Sequence, residues 1–231
     1  IAAERALDAD GYALLPGLLG PDTCAALREG WRANDKFRSE VVMARHGYGR
    51  GCYRYYAYPL PSRIADLRAA LYPALARIAI RWATRQGTAA FPEDHATFLA
   101  RCHAAGQERP TPLILRYGAG DYNCLHQDLY GEHVFPLQVA ILLDRPGEDF
   151  AGGEFLLTEQ RPRMQSRGSV VPLHQGDAVV FAVNQRPVQG SRGPYRVTMR
   201  HGVSTIRSGR RHTLGIIEGA TEFLPVSSTA H

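Results

Sequence analysis

The chain has 231 residues, of which 45% are hydrophobic and 21% charged, a balance that excludes a disordered chain, a collagen-like repeat and a coiled coil. Its longest apolar runs, Val139–Leu143 and Ala178–Val183, fall far short of the ~18 residues a membrane helix needs. A net charge of +5, from 27 basic and 22 acidic residues with Lys36 the one lysine, suits nucleic acid or an acidic small molecule, and equally a GC-rich genome.

Ile1–Ala9 carries Glu4, Arg5 and Asp8, unlike a signal peptide. Tyr12–Leu15 reads as a short strand, and Pro21-Asp22-Thr23 starts a helix over Cys24–Ala33. Between Gly47 and Tyr58, five tyrosines alternate with glycines and arginines. That stretch predicts a strand or ordered loop, packed beside a pocket or stacked on bases. Ser62 opens a longer helix with Ile64, Leu67, Leu71, Leu75 and Ile78 on one face and a kink at Pro73, and a third helix covers Glu93–Ala105. After residue 110 the pattern changes to short strands: Leu113–Tyr117, Leu137–Leu143, Glu154–Thr158, Ser169–Leu173, Ala178–Val183, Val197–Ile206 and Arg211–Ile217. Turns fall at Gly118–Gly120, Pro146-Gly147, Gly152-Gly153, Gln175-Gly176-Asp177 and Ser208-Gly209. So many strands predict a sandwich, jelly roll or barrel. Gln160–Arg167 is read as a long hairpin loop. The cysteines, Cys24, Cys52, Cys102 and Cys124, are scattered, which points to neither a zinc ribbon nor a disulfide framework and fits a reducing cytoplasm.

His126 and Asp128 are two residues apart, so on extended chain an imidazole and a carboxylate share one face. Alone, such a pair also fits a surface hydrogen bond. His201, on a later strand, completes two histidines and one carboxylate, the facial set that binds non-haem Fe(II) and leaves coordination positions open. Arg211 follows ten residues on, expected on the adjacent antiparallel strand across a turn at Ser208-Gly209, where it suits the far carboxylate of a dicarboxylate. His212 alternates away from Arg211, His133 and His174 lack partners at metal spacing, and Glu154 is expected to make structural hydrogen bonds. Cys124 is expected buried beside the site, and Tyr122 either in the substrate pocket or in the core.

In order, Arg116-Tyr117-Gly118-Ala119-Gly120, His126-Gln127-Asp128, Gly152-Gly153-Glu154-Phe155, Gln175-Gly176-Asp177-Ala178-Val179-Val180-Phe181 and Arg200-His201-Gly202 through Arg211-His212-Thr213 resemble the iron(II)- and 2-oxoglutarate-dependent dioxygenases, on their prolyl-4-hydroxylase-like side. Residues 1–217 resemble a prokaryotic branch predicted to act on damaged nucleic acid. The resemblance implies an α+β, mainly β fold: a double-stranded β-helix core (jelly roll, cupin-like) over 111–217, with mainly helical support from 1–110. It implies His126, Asp128 and His201 as iron ligands and Arg211 as the residue pairing with the C5 carboxylate of 2-oxoglutarate. Arg210 is the alternative if the register slips by one. Tyr117 and Thr213 are further cosubstrate contacts. The implied cofactors are Fe(II) and 2-oxoglutarate, with ascorbate as an accessory reductant, and the implied reaction is C–H hydroxylation with decarboxylation of 2-oxoglutarate to succinate. The partners are 2-oxoglutarate, oxygen and an alkylated nucleic acid; a protein or small-molecule substrate, or a metal-binding β-barrel without turnover, stays open beside it. Neither membrane insertion nor a location outside the cytoplasm is expected.

The stretch Glu218–His231 departs from this pattern and resembles the catalytic motif of undecaprenyl-diphosphate phosphatase. Lacking the membrane helices of that enzyme, it is read as a fusion or truncation remnant without phosphatase activity. Candidate phosphate-binding arginines for the nucleic-acid reading lie in Arg45–Arg54 and in the Gln160–Arg167 loop.

Overall fold

Burial along the C-terminal strands, alternating in Phe155–Gln160 but continuous in Leu137–Leu142 and Ala178–Ala182, dictates how the molecule is layered. The computed structural model describes residues 2–129 and 131–221. From the N-terminus, α1 (Ala2–Asp10), β1 (Tyr12–Leu15) and α2 (Pro21–Glu29) lead into β2 (Phe37–Val42), β3 (Gly49–Arg50) and β4 (Cys52–Tyr56). Next come α3 (Ser62–Gln86), α4 (His95–Ala104), β5 (Arg109–Pro110), β6 (Leu113–Gly118) and β7 (Tyr122–His126). The rest is strand: β8 (Leu137–Leu142), β9 (Phe150–Gly152), β10 (Phe155–Gln160), β11 (Arg167–Val171), β12 (Ala178–Ala182), β13 (Gln185–Gly190), β14 (Gly193–Val203), β15 (Ile206–Ile217) and β16 (Ala220–Thr221).

One sheet runs β1-β12-β8-β15-β6-β4-β2 with β9 also on β15, and the other runs β11-β10-β14-β7-β3 with β13 also on β14. Successive side chains of a strand face opposite ways, so the large sheet serves two cores. Val139, Ile141, Val180, Leu214 and Ile216 point to α1, α3 and α4, where Leu7, Tyr72, Ala79, Trp82 and Phe98 cover them. Ala140, Leu142, Val179 and Phe181 point the other way, toward Phe155, Leu157 and Val203 of the second sheet. This is the double-stranded β-helix expected from the sequence, with helices on one outer face. Asp8 locks α1 onto α3 by accepting from Trp82 Nε1 at 2.7 Å and pairing with Arg81 and Arg85 at 3.2 and 3.3 Å. The long helix is continuous through Pro73. Among the described residues no helix is long and apolar enough to cross a membrane.

Three expectations change. The core strands begin before residue 111, because within the mainly helical 1–110 β1, β2 and β4 extend the large sheet and β3 extends the small one. The Tyr53-Arg54-Tyr55 alternation signals one of these strands, but β2 and β3 are polar or short and carry no such pattern. His201 and Arg211 are not hairpin neighbours. β14 ends at Val203 and β15 begins at Ile206, so the turn falls at Ser204-Thr205 and the chain crosses between sheets there. Gly209 lies inside β15, where its φ of +77° accommodates pairing with β9. Finally, the fold continues past residue 217. Glu218 is fully buried beside Arg68, and β16 pairs with β5. Residues 222–231 of the phosphatase-like tail lie outside the described residues.

Candidate active site

β7 and β14 are paired with His126 opposite His201, so the register of one ladder juxtaposes the two imidazoles. Gly202 permits this approach: a Cβ there would sit 2.7 Å from the Asn123 carbonyl oxygen. Just beyond β7, Asp128 reaches both rings, with Oδ1 at 3.4 Å from His126 Nε2 and Oδ2 at 3.4 Å from His201 Nε2. One ligand atom from each of the three lies within 4.8 Å of the others. His126 Nδ1 is 2.7 Å from the Cys124 carbonyl oxygen, which makes Nδ1 a donor and turns Nε2 toward the site, where it would give up its own proton to hold a metal. Gln127 turns the other way and donates to Asn184 Oδ1 and the Met199 carbonyl at 2.7 and 2.8 Å, fixing the loop that carries Asp128.

Charge follows from the geometry. Burial works against ionising Asp128, but the His126 charge and hydrogen bonds from both histidines outweigh it and hold the carboxyl well below its usual range. Burial opposes charging His126 too, yet the Asp128 carboxylate raises its pKa. Burial and then the His126 charge lower that of His201. The cluster is a carboxylate that stays ionised beside two imidazoles, a donor set that fits ferrous iron.

From the opposite sheet, Arg211 enters the same cavity at 1% exposure. Its Nη1 donates to Thr213 Oγ1 at 2.6 Å, its guanidinium lies 5.9 Å from the Tyr117 ring centroid, and its Nε is buried with no acceptor. The Tyr117 hydroxyl, near Asn123, is likewise buried and completes no hydrogen bond. Burial lowers the Arg211 pKa and raises that of Tyr117. A buried guanidinium without a carboxylate at ion-pair distance among the described residues, beside an idle phenol, fits a bound carboxylate. Gly153 makes room for it: at φ +65°, a Cβ would meet Ile206 Cδ1 at 2.3 Å and Arg211 Cδ at 3.0 Å. Arg210 is exposed, on the other face.

Behind Arg211, His212 is buried and bonded rather than exposed. Its backbone N–H donates to Asp144 Oδ2, its Nδ1 is 2.9 Å from the same oxygen, and Arg28 pairs with Asp144 at 2.8 Å. Nothing in the sequence singled out Asp144, since its partners are remote in the chain.

The cavity measures about 960 Å³, with the triad, Arg211, Thr213 and Tyr117 on its wall. Met43, Tyr48, Tyr53 and Tyr55 close it from the N-terminal half. The tyrosine-rich stretch is therefore a pocket wall. Two expectations fail: Cys124 is exposed rather than buried, and Tyr122 is 37% exposed and packed in no core. Both sit on β7, whose register against β14 shifts between Asn123 and His126, so they do not share the inward face of His126. Glu154 makes the expected structural bonds, linking to Ser204. His174 is exposed next to Asp177, and His133 is held by its backbone through Gln107.

Residues 51–219 match the Oxygenase-NA family, described as oxygenases catalysing oxidative methylation of damaged DNA. An uncharacterised protein of Mycobacterium tuberculosis is 54% identical over 160 residues, 69% of this chain and 69% of that protein. Among solved structures, a prolyl-4-hydroxylase from Pseudomonas putida matches with a TM-score of 0.53 at 17% identity, over 94% of this chain and 96% of that one. A 2OG-Fe(II) oxygenase-family oxidoreductase from Burkholderia pseudomallei gives 0.54 at 19% identity, over 96% and 92%. At these identities the structural likeness is one of fold.

Proposed function

Because this chain belongs to the Oxygenase-NA family, and is thereby an oxygenase, we propose that it hydroxylates a C–H bond of damaged DNA, with Fe(II) as metal and 2-oxoglutarate as cosubstrate. The observation that carries this reading is a His-Asp-His cluster and a buried, carboxylate-free arginine sharing one cavity from opposite sheets. When bound, the metal and 2-oxoglutarate would let dioxygen act as the oxidant, one oxygen atom going to the substrate hydroxyl and the other to succinate as the cosubstrate loses carbon dioxide. The protein does the rest. His126, Asp128 and His201 present three ligands on one side, leaving the other side open. Arg211 binds the far carboxylate of the cosubstrate, with Thr213 and Tyr117 as hydroxyl donors beside it. Phe155 and Phe181, whose rings lie 6.2 and 4.6 Å from that of His201, keep water from the inner wall. Where the substrate carbon is an N-methyl group, its hydroxymethyl product releases formaldehyde and leaves the repaired base.

The test is succinate formation from 2-oxoglutarate with Fe(II), using ascorbate to keep the metal reduced, across a panel of methylated oligonucleotides. Coupled succinate and formaldehyde support the reading. Succinate coupled instead to a peptide or metabolite would move the substrate while leaving the chemistry.

A further inference from the structure

The cavity opens beside a lip whose residues the reaction chemistry leaves unused. Met43 and Tyr48, both on its wall, bracket a turn that exposes Arg45, and the next strand, β3, exposes Arg50. His46 stacks on Tyr48 with ring centroids 5.4 Å apart and planes 23° apart, backing one face of the phenol ring. The turn is held against the metal-bearing strand, because the Tyr48 carbonyl accepts from the Cys124 N–H at 2.9 Å and Arg50 pairs with Tyr122 in register. On the far side of β7, Arg200 is exposed and also lines the cavity. Arg45, Arg50 and Arg200 form no ion pair among the described residues, whereas Arg54, Arg145 and Arg207 are paired with Glu40, Glu148 and Glu154. Tyr122, Leu125 and Leu129, between and around these arginines, are 37%, 45% and 48% exposed.

Unpaired guanidinium groups interleaved with exposed aromatic and apolar side chains are the chemistry that binds a single nucleic-acid strand: phosphates meet the charges and bases stack on the rings. A duplex presents its bases edge-on and stacked, so a methylated base must leave the stack to enter a cavity of this depth. Resting on the damaged-DNA reading above, we propose that this lip seats an unpaired DNA strand, with Tyr48 stacking the base that enters the cavity and Arg45, Arg50 and Arg200 holding the phosphates beside it. The other basic stretch suits that role less: none of its residues lines the cavity, and among its arginines Arg163 alone is without an ion pair among the described residues. In the Gln160–Arg167 loop, Arg161 is paired with Glu159 at 2.7 Å, and Arg167 with Asp10 and Glu159 at 3.7 and 3.8 Å.

The probe is a fluorescent single-stranded oligonucleotide carrying one N-methylated base, titrated by anisotropy with the full chain at several salt concentrations. Removing one guanidinium that neutralises a phosphate of a single strand lowers the slope of log affinity against log salt by about 0.7. Arg45→Ala and Arg50→Ala should each show this drop, and the Arg161→Ala/Arg163→Ala pair should show none. Tyr48→Ala should weaken binding roughly tenfold, while Tyr48→Phe, which keeps the ring, binds as the parent does. An unchanged slope in both single arginine variants, a drop confined to the loop pair, or equal affinity for an intact duplex would each overturn the proposal. Formaldehyde release by the wild type together with parent-like binding in every lip variant rejects the lip and keeps the oxygenase reading. No succinate from any substrate with Fe(II) and 2-oxoglutarate rejects that reading itself.

Discussion

Replacing Arg211 by methionine should affect stability and cosubstrate binding in opposite directions. The guanidinium is buried at 1% exposure and bonded to Thr213, with its Nε idle and no carboxylate at ion-pair distance among the described residues. A buried charge without a counter-charge burdens the fold, so replacing it with an apolar side chain of similar volume should be neutral to stabilising. The metal-bound, cosubstrate-free Arg211→Met protein should therefore unfold at the parent temperature or above it. Cosubstrate binding should collapse. Two charge-assisted hydrogen bonds are worth about 1.5–3 kcal/mol each, so losing both weakens 2-oxoglutarate by roughly 100-fold or more. The assay is thermal unfolding with Fe(II) under anaerobic conditions, with and without 2-oxoglutarate. At a ligand concentration 100 times Kd, wild type gains about 2.7 kcal/mol, or roughly 5–11 °C for a chain of this size. Arg211→Met should gain about 0.4 kcal/mol or less, under about 2 °C, and Arg210→Ala, altered on the exposed face, should gain as much as wild type. A methionine variant that keeps the shift, or an Arg210→Ala variant that loses it, would refute the assignment of the anchor.

Asp128→Ala should weaken Fe(II) by at least about tenfold in an anaerobic titration, because it removes the charged ligand that both histidines face. Asp144→Ala should cost about 2–3 kcal/mol in urea unfolding, since it leaves Arg28 and the backbone N–H and Nδ1 of His212 without their shared acceptor; it should also raise KM for 2-oxoglutarate by loosening β15 at Arg211. Burial pushes the Glu218 carboxyl up to about 8, only partly offset by Arg68. A raised acid binds its proton more tightly in the folded state, so this stabilisation is present at low pH and is lost as pH rises toward 8. Glu218→Gln should flatten the fall in stability between pH 5 and 7 by about 1–3 kcal/mol. His95, which burial and then Arg68 push down to about 4, acts in the opposite sense, contributing stability above its unfolded pKa that is lost as pH falls toward 4; a slope unchanged in Glu218→Gln would show that the carboxylate is not the titrating group.

The double-stranded β-helix was legible because its strands are compact apolar runs, as in Ala178–Ala182 and Leu137–Leu142, and turn glycines separate them. The His126/Asp128 spacing needs only a local extended chain, so it could be read without the fold. What was hidden depended on distant partners. The switch of sheets at Ser204-Thr205 leaves no local mark beyond two small residues, and the glycine at 209 offers a more familiar turn signal. Asp144 becomes informative only once α2 brings Arg28 to it. Likewise, β2 and β3 are strands because β4 and β7 pair with them, not through their own composition.

The participation of the N-terminal strands in both sheets separates two tasks along the chain. The groups assigned to oxidation, from Tyr117 to Thr213, lie within the stretch shared with the family, 51–219, whereas Met43, Arg45, His46, Tyr48 and Arg50 precede it. On the proposed reading, most of what selects the substrate lies upstream, in a short turn docked on β7 through one backbone hydrogen bond and a two-residue ladder, with Arg200 the part of the lip inside the shared stretch. Such an arrangement is a fixed tool with an exchangeable jig. On the proposed reading, grafting a different turn between β2 and β4 should change which substrate is bound while leaving His126, Asp128, His201 and Arg211 in place.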